Sequence, residues 1–299
     1  MLENRFEENP SFPLENIVFA TDFLESSRLA LDYAAAFALL YRSKLTIVHA
    51  FELSSEAEEV EILSRGPSMS RANAAARLEA FASGVRRLGI RTETDLRDGD
   101  PVEAVLDAAI DNHADLLVLG THGVYRGLQH LLVGSNAEKI LLSAECPTLT
   151  VGRHVMAGID LVLNFNKILL VADFSPESVD AAQCALSLGR DLGIGIELLQ
   201  TAPDRLSTNS PALRNAAERF CEAIGSIPGC SELGWCSPEF QLGRVCSPED
   251  VVKSAKSAAN SLLVLGVHWE SRWNRHIHAT FAYELVAKAS CPILGVHRR

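Results

Sequence analysis

The sequence lacks an excess of positive charge. It has 27 Lys and Arg residues against 38 Asp and Glu residues, which gives a net charge of −11. Proteins that bind nucleic acid or anionic membranes by general electrostatic attraction are more often basic. We therefore expect neither partner, although a local basic pocket for one small anion is compatible with this balance.

Cysteine pairs at CxxC spacing and long apolar runs are also missing. An odd count of seven scattered cysteines without a disulfide pattern is typical of a reducing compartment. The polar, acidic start at Met1–Pro13 does not resemble a signal peptide. The most apolar stretch, Leu29–Tyr41, contains Asp32 and is too short to span a bilayer. The expectation is a cytoplasmic protein with no membrane-spanning segment.

What the sequence does contain is an internal repeat. Its 299 residues suit two domains rather than one. Three pairs of landmarks recur in the same order about 150 residues apart: Ile17–Phe23 with Ile168–Phe174, Leu116–Gly120 with Leu262–Gly266, and Cys146-Pro147 with Cys291-Pro292. A period of this length is far longer than that of solenoid repeats and indicates domain duplication. The predicted division is a lead at residues 1–14, a first domain at 15–152, a linker at 153–166 and a second domain at 167–299.

Each half alternates short apolar runs with helical spacing of apolar residues. The predicted strands are Ile17–Ala20, Lys44–Phe51, Arg91–Leu96, Leu116–Leu119 and Thr148–Val151, and then Ile168–Val171, Ile196–Gln200, Glu239–Leu242, Leu262–Leu265 and Ile293–Val296. Ser26 or Ser27 is expected to cap the first helix. Strands that alternate with helices predict an α/β fold in which each half is a parallel, doubly wound sheet.

A candidate ligand site lies where two strands of the first half end. Ligands of such sheets bind beyond the carboxyl ends of the strands, at the point where the winding direction changes. Thr21-Asp22 follows the first strand, and Gly120-Thr121-His122-Gly123 follows the fourth. The two glycines can adopt positive φ and admit a ligand close to the backbone, where successive amides bind anions. Gly134-Ser135-Asn136 opens the next helix, whose N-terminus favours phosphate.

Other residues of this loop have more than one interpretation. Arg126 can add positive charge, and Asp22 can accept a hydrogen bond from a ribose hydroxyl or help to hold a metal ion. Ser135-x-x-Glu138 is also a capping box that needs no ligand, and Gly120 can simply form the turn after a buried strand. Because all these elements stand between one strand and one helix, their combination favours phosphate binding.

The loop Gly120-x-x-Gly123-(x)10-Gly134-Ser135 resembles the nucleotide signature of the universal stress protein family. The resemblance extends over both halves and implies two tandem Rossmann-like domains, each with five parallel strands and helices on both faces, that pair through their last strands. It also implies binding of ATP, usually with Mg²⁺. Gly120, His122, Gly123, Gly134 and Ser135 would hold the phosphates, and the backbone of Ala50 would contact the adenine. The family usually has nine residues before the Gly-Ser pair; here there are ten.

The second half departs from this signature. It has Gly266-Val267-His268-Trp269 at the matching place, where Trp269 would fill the space of a phosphate, and about Ala279-Thr280 in place of the Gly-Ser pair. The half is therefore expected not to bind ATP. The histidines, tryptophans and arginines of residues 268–278 suit a metal site less well than an interface or a plug over a vacated pocket.

Three functions follow as hypotheses. The first is a nucleotide-binding stress-response regulator with an unknown protein partner and little or no turnover. The second is an enzyme that hydrolyses ATP slowly, since no nucleophile–base pair accompanies the loop. The third is an interaction module without nucleotide binding. The sequence leaves the assembly open: the two halves can pair within one chain, or two chains can form a homodimer.

Overall fold

The computed structural model describes residues 11–51, 70–121, 135–152, 154–156, 158–162, 164–201, 211–227, 247–267 and 278–298. The elements of the first half are β1 (Asn16–Ala20), α1 (Glu25–Tyr41), β2 (Lys44–Phe51), α2 (Arg71–Arg86), β3 (Thr92–Asp98), α3 (Pro101–Asp111), β4 (Leu116–Gly120), α4 (Ser135–Ser143) and β5 (Thr148–Val151). After α5 (Ile159–Val162), the second half has β6 (Lys167–Ala172), α6 (Pro176–Leu192), β7 (Gly195–Gln200), α7 (Pro211–Gly225), α8 (Pro248–Ser257), β8 (Ser261–Val267), α9 (His278–Lys288) and β9 (Ile293–His297).

All of the described strands belong to one nine-stranded sheet in the order β3-β2-β1-β4-β5-β9-β8-β6-β7. Within each half the neighbouring strands are parallel. The halves join through β5 and β9, which run antiparallel with Leu149 opposite Leu294. This confirms the α/β fold and the pairing of the two halves through their last strands within one chain.

The strands follow the distribution of apolar residues. The central strands β1, β4 and β8 are buried on both faces, as their near-continuous apolar sequences predict. β3, at the edge of the sheet, is polar except for Leu96, and only Thr92 of its residues is buried. The first half thus shows the five parallel strands expected. The strand predicted at Glu239–Leu242 lies outside the described residues, which leave four strands in the second half.

Two helix starts differ in their capping, and the cap predicted for the first helix is wrong. Asp100 caps α3 by accepting hydrogen bonds from the backbone N–H groups of Val102 and Glu103, at 2.9 and 3.1 Å. The cap predicted at Ser26 or Ser27 is wrong, because α1 begins at Glu25 after Leu24, which makes no side-chain capping bond.

Two further contacts bind the halves together. The carboxylate of Asp191 on α6 accepts hydrogen bonds from the backbone N–H groups of Ser11 and Phe12, at 2.7 and 2.9 Å, and from the hydroxyl of Tyr41, at 3.0 Å. The segment that the sequence predicts as a linker contains α5, and the hydroxyl of Tyr33 on α1 donates to the carbonyl of Met156 there, at 2.7 Å. None of the described helices is long and apolar enough to cross a membrane.

Candidate functional site

The winding direction of the first half changes between β1 and β4. From β1 the chain proceeds to β2 and β3 on one side, whereas β4 and β5 lie on the other. β1 and β4 pair directly, with Ala20 opposite Leu119, so the segments that follow them leave the sheet side by side. The structure therefore brings Thr21-Asp22 and Gly120-Thr121 together at the crevice where this class of fold binds its ligands.

Asp22 forms a tight turn at this crevice. Its Oδ1 accepts hydrogen bonds from the backbone N–H of Leu24, at 2.9 Å, and from the hydroxyl of Ser27. The backbone N–H of Asp22 in turn donates to Ser27 Oγ, at 3.2 Å. This turn explains why Ser27 does not cap α1. It also holds Phe23 at a φ of 63°, which non-glycine residues rarely adopt.

Gly120 is needed for close packing. Its φ is not positive, so the structure does not use the positive φ that the sequence permits here. A Cβ atom at Gly120 would lie 2.7 Å from the carbonyl carbon of Ser26 and 2.9 Å from the nitrogen of Ser27, where backbone atoms cannot give way easily. The end of β4 thus lies against the first turn of α1, and glycine is the residue that permits this approach.

Main-chain contacts fix the polar residues around the crevice. Thr21 is buried, its backbone N–H donates to the Val48 carbonyl, and its Oγ1 accepts from the N–H of Phe23, at 2.9 and 3.0 Å. Thr121 is 1% exposed and its N–H donates to the Val151 carbonyl, at 3.1 Å. Ala50 lies half-buried near the end of β2, opposite Arg97 of β3.

His49 has a structural role beside the same crevice. Its Nδ1 lies 2.7 Å from the carbonyl oxygen of Thr21, and its ring packs against that of Phe23, with centroids 4.3 Å apart. Burial lowers the pKa of His49, more than the hydrogen bond to Thr21 raises it. The ring is therefore neutral at pH 7 and donates from Nδ1 to the carbonyl, which holds it in place.

The rest of the predicted phosphate-binding loop is only partly described. His122, Gly123, Arg126 and Gly134 lie outside the described residues. α4 begins at Ser135, as predicted, and Asn136 is exposed in its first turn. In the second half, residues 268–277 also lie outside the described part of the chain. Among the described residues, no three His, Cys, Asp or Glu side chains are grouped so as to hold a metal ion.

The matching edge of the second half has a similar backbone and different side chains. Asp173 forms the same turn: its Oδ1 accepts from the N–H of Ser175 and from the hydroxyl of Ser178, at 3.0 and 2.6 Å. A Cβ at Gly266 would lie 2.6 Å from the carbonyl carbon of Glu177. The sequence comparison missed Glu177, a carboxylate that takes the place of Ser26. Extending the alignment of the halves from Asp22 and Asp173 by four residues would have found it.

A profile of the universal stress protein family matches residues 13–152 and again residues 164–297. The chain belongs to the universal stress protein family. Because the profile matches twice, each half of the nine-stranded sheet is one unit of the family.

Individual relatives agree with this assignment. A universal stress protein of Thermus aquaticus is 35% identical over 142 residues, which are 46% of this chain and 98% of the relative. The crystal structure of a universal stress protein from Archaeoglobus fulgidus has a TM-score of 0.67 at 16% identity, over 96% of this chain and 97% of its own. A structure from Pseudomonas aeruginosa, described as a universal stress protein, has a TM-score of 0.64 at 16% identity over 96% and 94% of the two chains. At 16% identity these structural matches show only that the whole chain shares this fold.

Proposed function

We propose that the first half of this universal stress protein binds ATP together with Mg²⁺ and acts in stress regulation with little or no turnover. The observation that carries the proposal is the crevice between β1 and β4. In the first half it is bordered by the polar residues Thr21, Ser26 and Thr121 and by the carboxylate of Asp22, and in sequence it leads into a loop with Gly123 and Gly134. The second half serves as a structural or partner-binding unit, and we place the protein in the cytoplasm.

Each part of the nucleotide has a partner in this arrangement. The first turn of α4, which begins at Ser135 and exposes Asn136, supplies free N–H groups and the positive end of a helix dipole for phosphate. Arg126 adds charge, and the backbone at Ala50 lies one strand away from the crevice, where the adenine would bind. Mg²⁺ commonly binds through phosphates and one carboxylate, so the exposed Asp22 is sufficient for it although the described residues form no three-ligand group.

Little or no turnover follows from the groups beside the crevice. Among the described residues, His49 is the histidine beside Asp22, but its Nδ1 is engaged with the Thr21 carbonyl, and burial lowers its pKa. A general base must reach the proton that it removes, so a ring held by the backbone in this way is a poor activator of water. Measurable steady turnover of ATP would instead favour the slow enzyme.

Calorimetric titration of the full chain with ATP and Mg²⁺ tests the proposal. We expect one site per chain in the wild type and none in Gly123→Trp, which copies Trp269 of the second half. Gly225→Trp is the matched control, because a Cβ at Gly225 has open space around it, and it should bind as the wild type does. ADP, AMP and cyclic AMP titrated in parallel define the nucleotide.

Two results would overturn the proposal. No binding to the wild type, after bound nucleotide has been removed, would identify the chain as an interaction module whose extra loop residue abolishes the cradle. Equal binding by the wild type and Gly123→Trp would show that the nucleotide binds somewhere other than the loop.

A further inference from the structure

Two arginines of the first half lie over one pair of aromatic rings. Phe23, which follows Asp22, packs edge to face against Phe81 of α2, with ring centroids 5.6 Å apart. The guanidinium carbon of Arg77 lies 4.6 Å from the centre of the Phe23 ring. That of Arg28, on α1, lies 5.8 Å from the centre of the Phe81 ring. A chain with a net charge of −11 thus brings two positive charges to one ring pair beside the crevice.

Both guanidiniums are held in place before any ligand binds. Nη2 of Arg77 donates a hydrogen bond to the carbonyl oxygen of Phe23, at 3.4 Å, and the group lies over the ring of the same residue. Arg28 lies over Phe81 from the neighbouring helix, and both arginines are exposed. An arginine that already lies on a ring loses less conformational freedom when it binds a ligand. Two such guanidiniums suit an anion, and phosphate in particular.

The second half forms the same aromatic pair without the arginines. Phe174 packs against Phe220, with ring centroids 5.2 Å apart. Five residues after Phe174 the chain has Val179, and four residues before Phe220 it has Ala216. Both are partly buried against the hydrophobic core. The turn and the ring pair therefore form in this fold without a guanidinium over either ring.

The comparison between the halves indicates that the arginines serve a ligand. Val179 stands at the position of Arg28, and Ala216 at the position of Arg77, so the two charges are not required for the turn or for the ring pair. They occur in the half whose sequence keeps the phosphate-binding loop, and the half that has lost this loop has apolar residues in their place.

The arginine pair and the phosphate-binding loop lie on opposite sides of Asp22. α1 and α2 pack into one hydrophobic core, and α3 and α4 pack into the other, across the sheet. Asp22 lies at the end of β1 between them, where it can accept a hydrogen bond from a ribose hydroxyl. If the 5′-phosphates bind at the start of α4, the ribose hydroxyls point towards α2. In related sheets an arginine near the ribose carboxylate accommodates a phosphate on the ribose.

We propose that Arg28 and Arg77 make the first half select adenine nucleotides that carry a phosphate on the ribose in addition to the 5′-phosphate. The inference rests on the proposed nucleotide site and defines its ligand more narrowly. The ribose phosphate receives charge-assisted hydrogen bonds from the two guanidiniums. Their two positive charges outweigh the single carboxylate of Asp22, whose Oδ1 is already engaged in its turn.

Titration calorimetry of the full chain with adenosine 3′,5′-bisphosphate and adenosine 2′,5′-bisphosphate, each compared with AMP, tests the inference. We expect one of the two bisphosphates to bind the wild type about tenfold more tightly than AMP, as an added charge-assisted contact predicts. Arg77→Ala and Arg28→Val copy the second half and should each reduce this preference, while AMP and ATP bind as they do to the wild type. Because the second half folds with these residues, both variants should keep the fold, which their melting temperatures check.

The control variant is Arg87→Ala. Arg87 follows the last residue of α2 and is exposed, so the substitution removes the same charge away from the crevice and should keep the preference of the wild type. An equal loss in the control would mean that the bisphosphates respond to the net charge of the protein, and the inference would be wrong.

Two other outcomes would also overturn the inference. If the wild type binds ATP but does not distinguish the bisphosphates from AMP, the nucleotide site stands and the selection for a ribose phosphate does not. The same holds if the preference persists in both arginine variants. If the wild type binds none of these nucleotides, the proposed function fails together with the inference.

Discussion

The two carboxyl edges of this protein share a backbone and differ in side chains. In both halves an aspartate closes a turn onto a serine two residues into the helix, through Asp22 and Ser27 in one and Asp173 and Ser178 in the other. In both, a phenylalanine follows with a positive φ, 63° for Phe23 and 64° for Phe174. A half that has lost the nucleotide signature keeps these features. They are therefore requirements of the fold and do not by themselves indicate a ligand.

The differences between the halves are more informative about function. Where the first half has Thr21, Ser26 and Thr121, the second has Ala172, Glu177 and Val267. Ser26 and Glu177 are equally buried, at 6% exposure each, so the exchange places a carboxylate at a position of similar burial. At these three positions one edge is thus uncharged and polar, whereas the other is apolar and acidic; both edges keep the aspartate of the turn.

The largest effect that we expect concerns the glycine that both halves share. Gly120→Ala and Gly266→Ala should each lower the free energy of unfolding by about 3 kcal/mol, since the new methyl group meets helix backbone at 2.7 and 2.6 Å. Urea unfolding of the two variants measures this. Similar losses of unfolding free energy in both variants would show that the glycine is needed for packing in both halves, with or without the phosphate-binding loop.

The matched control for these variants is Gly225→Ala. A Cβ at this position meets no atom within 4 Å, so the free energy of unfolding should change little. If Gly120→Ala costs no more than the control, then α1 can move away from β4 and the close approach does not require glycine.

Much of the fold could be predicted from the sequence because it depends on local patterns. Buried parallel strands such as Leu116–Gly120 are short apolar runs, and the cap at Asp100 needs only its own side chain and the next few N–H groups. The cap predicted at Ser27 failed because Asp22, five residues earlier, takes its hydroxyl. The order of strands at the centre of the sheet came from the family resemblance, since no local pattern specifies that β5 pairs with β9.

The candidate site was predictable in part for the same reason. Thr21 and Gly120 could be placed together because carboxyl ends of neighbouring parallel strands must meet. The role of Gly120 could not be predicted, because the Ser26 backbone, which excludes a Cβ there, is ninety-four residues away in the chain. The proximity of Arg28 and Arg77 was not predicted either, because α1 and α2 bring them to one ring pair from distant parts of the chain.

A smaller effect is expected when the buried carboxylate of the second edge is introduced at the matching position of the first half. Ser26→Glu, which copies Glu177, should weaken ATP binding about tenfold, because a poorly screened carboxylate then lies beside the phosphates. Ser26→Gln has nearly the same shape without the charge and is the control. Titration calorimetry at low and high salt measures the affinities. Equal weakening by both substitutions would mean that the size of the side chain, and not its charge, excludes the nucleotide.

The smallest effect that we expect concerns His297, whose matching residue in the first half is Gly152. Burial lowers the pKa of His297 in the folded chain, whereas the unfolded ring titrates at about 6.5. Below that pH the unfolded state binds the proton more readily, so this residue's contribution to stability is complete above about pH 6.5 and falls as the pH decreases towards the lowered value. His297→Gln should therefore reduce the loss of melting temperature between pH 7 and pH 5 by a few degrees. His297→Phe has neither ring nitrogen and should reduce this loss of melting temperature by the same amount, whatever its stability at pH 7. If the pH dependence is unchanged in both variants, the ring titrates alike in the folded and unfolded chain.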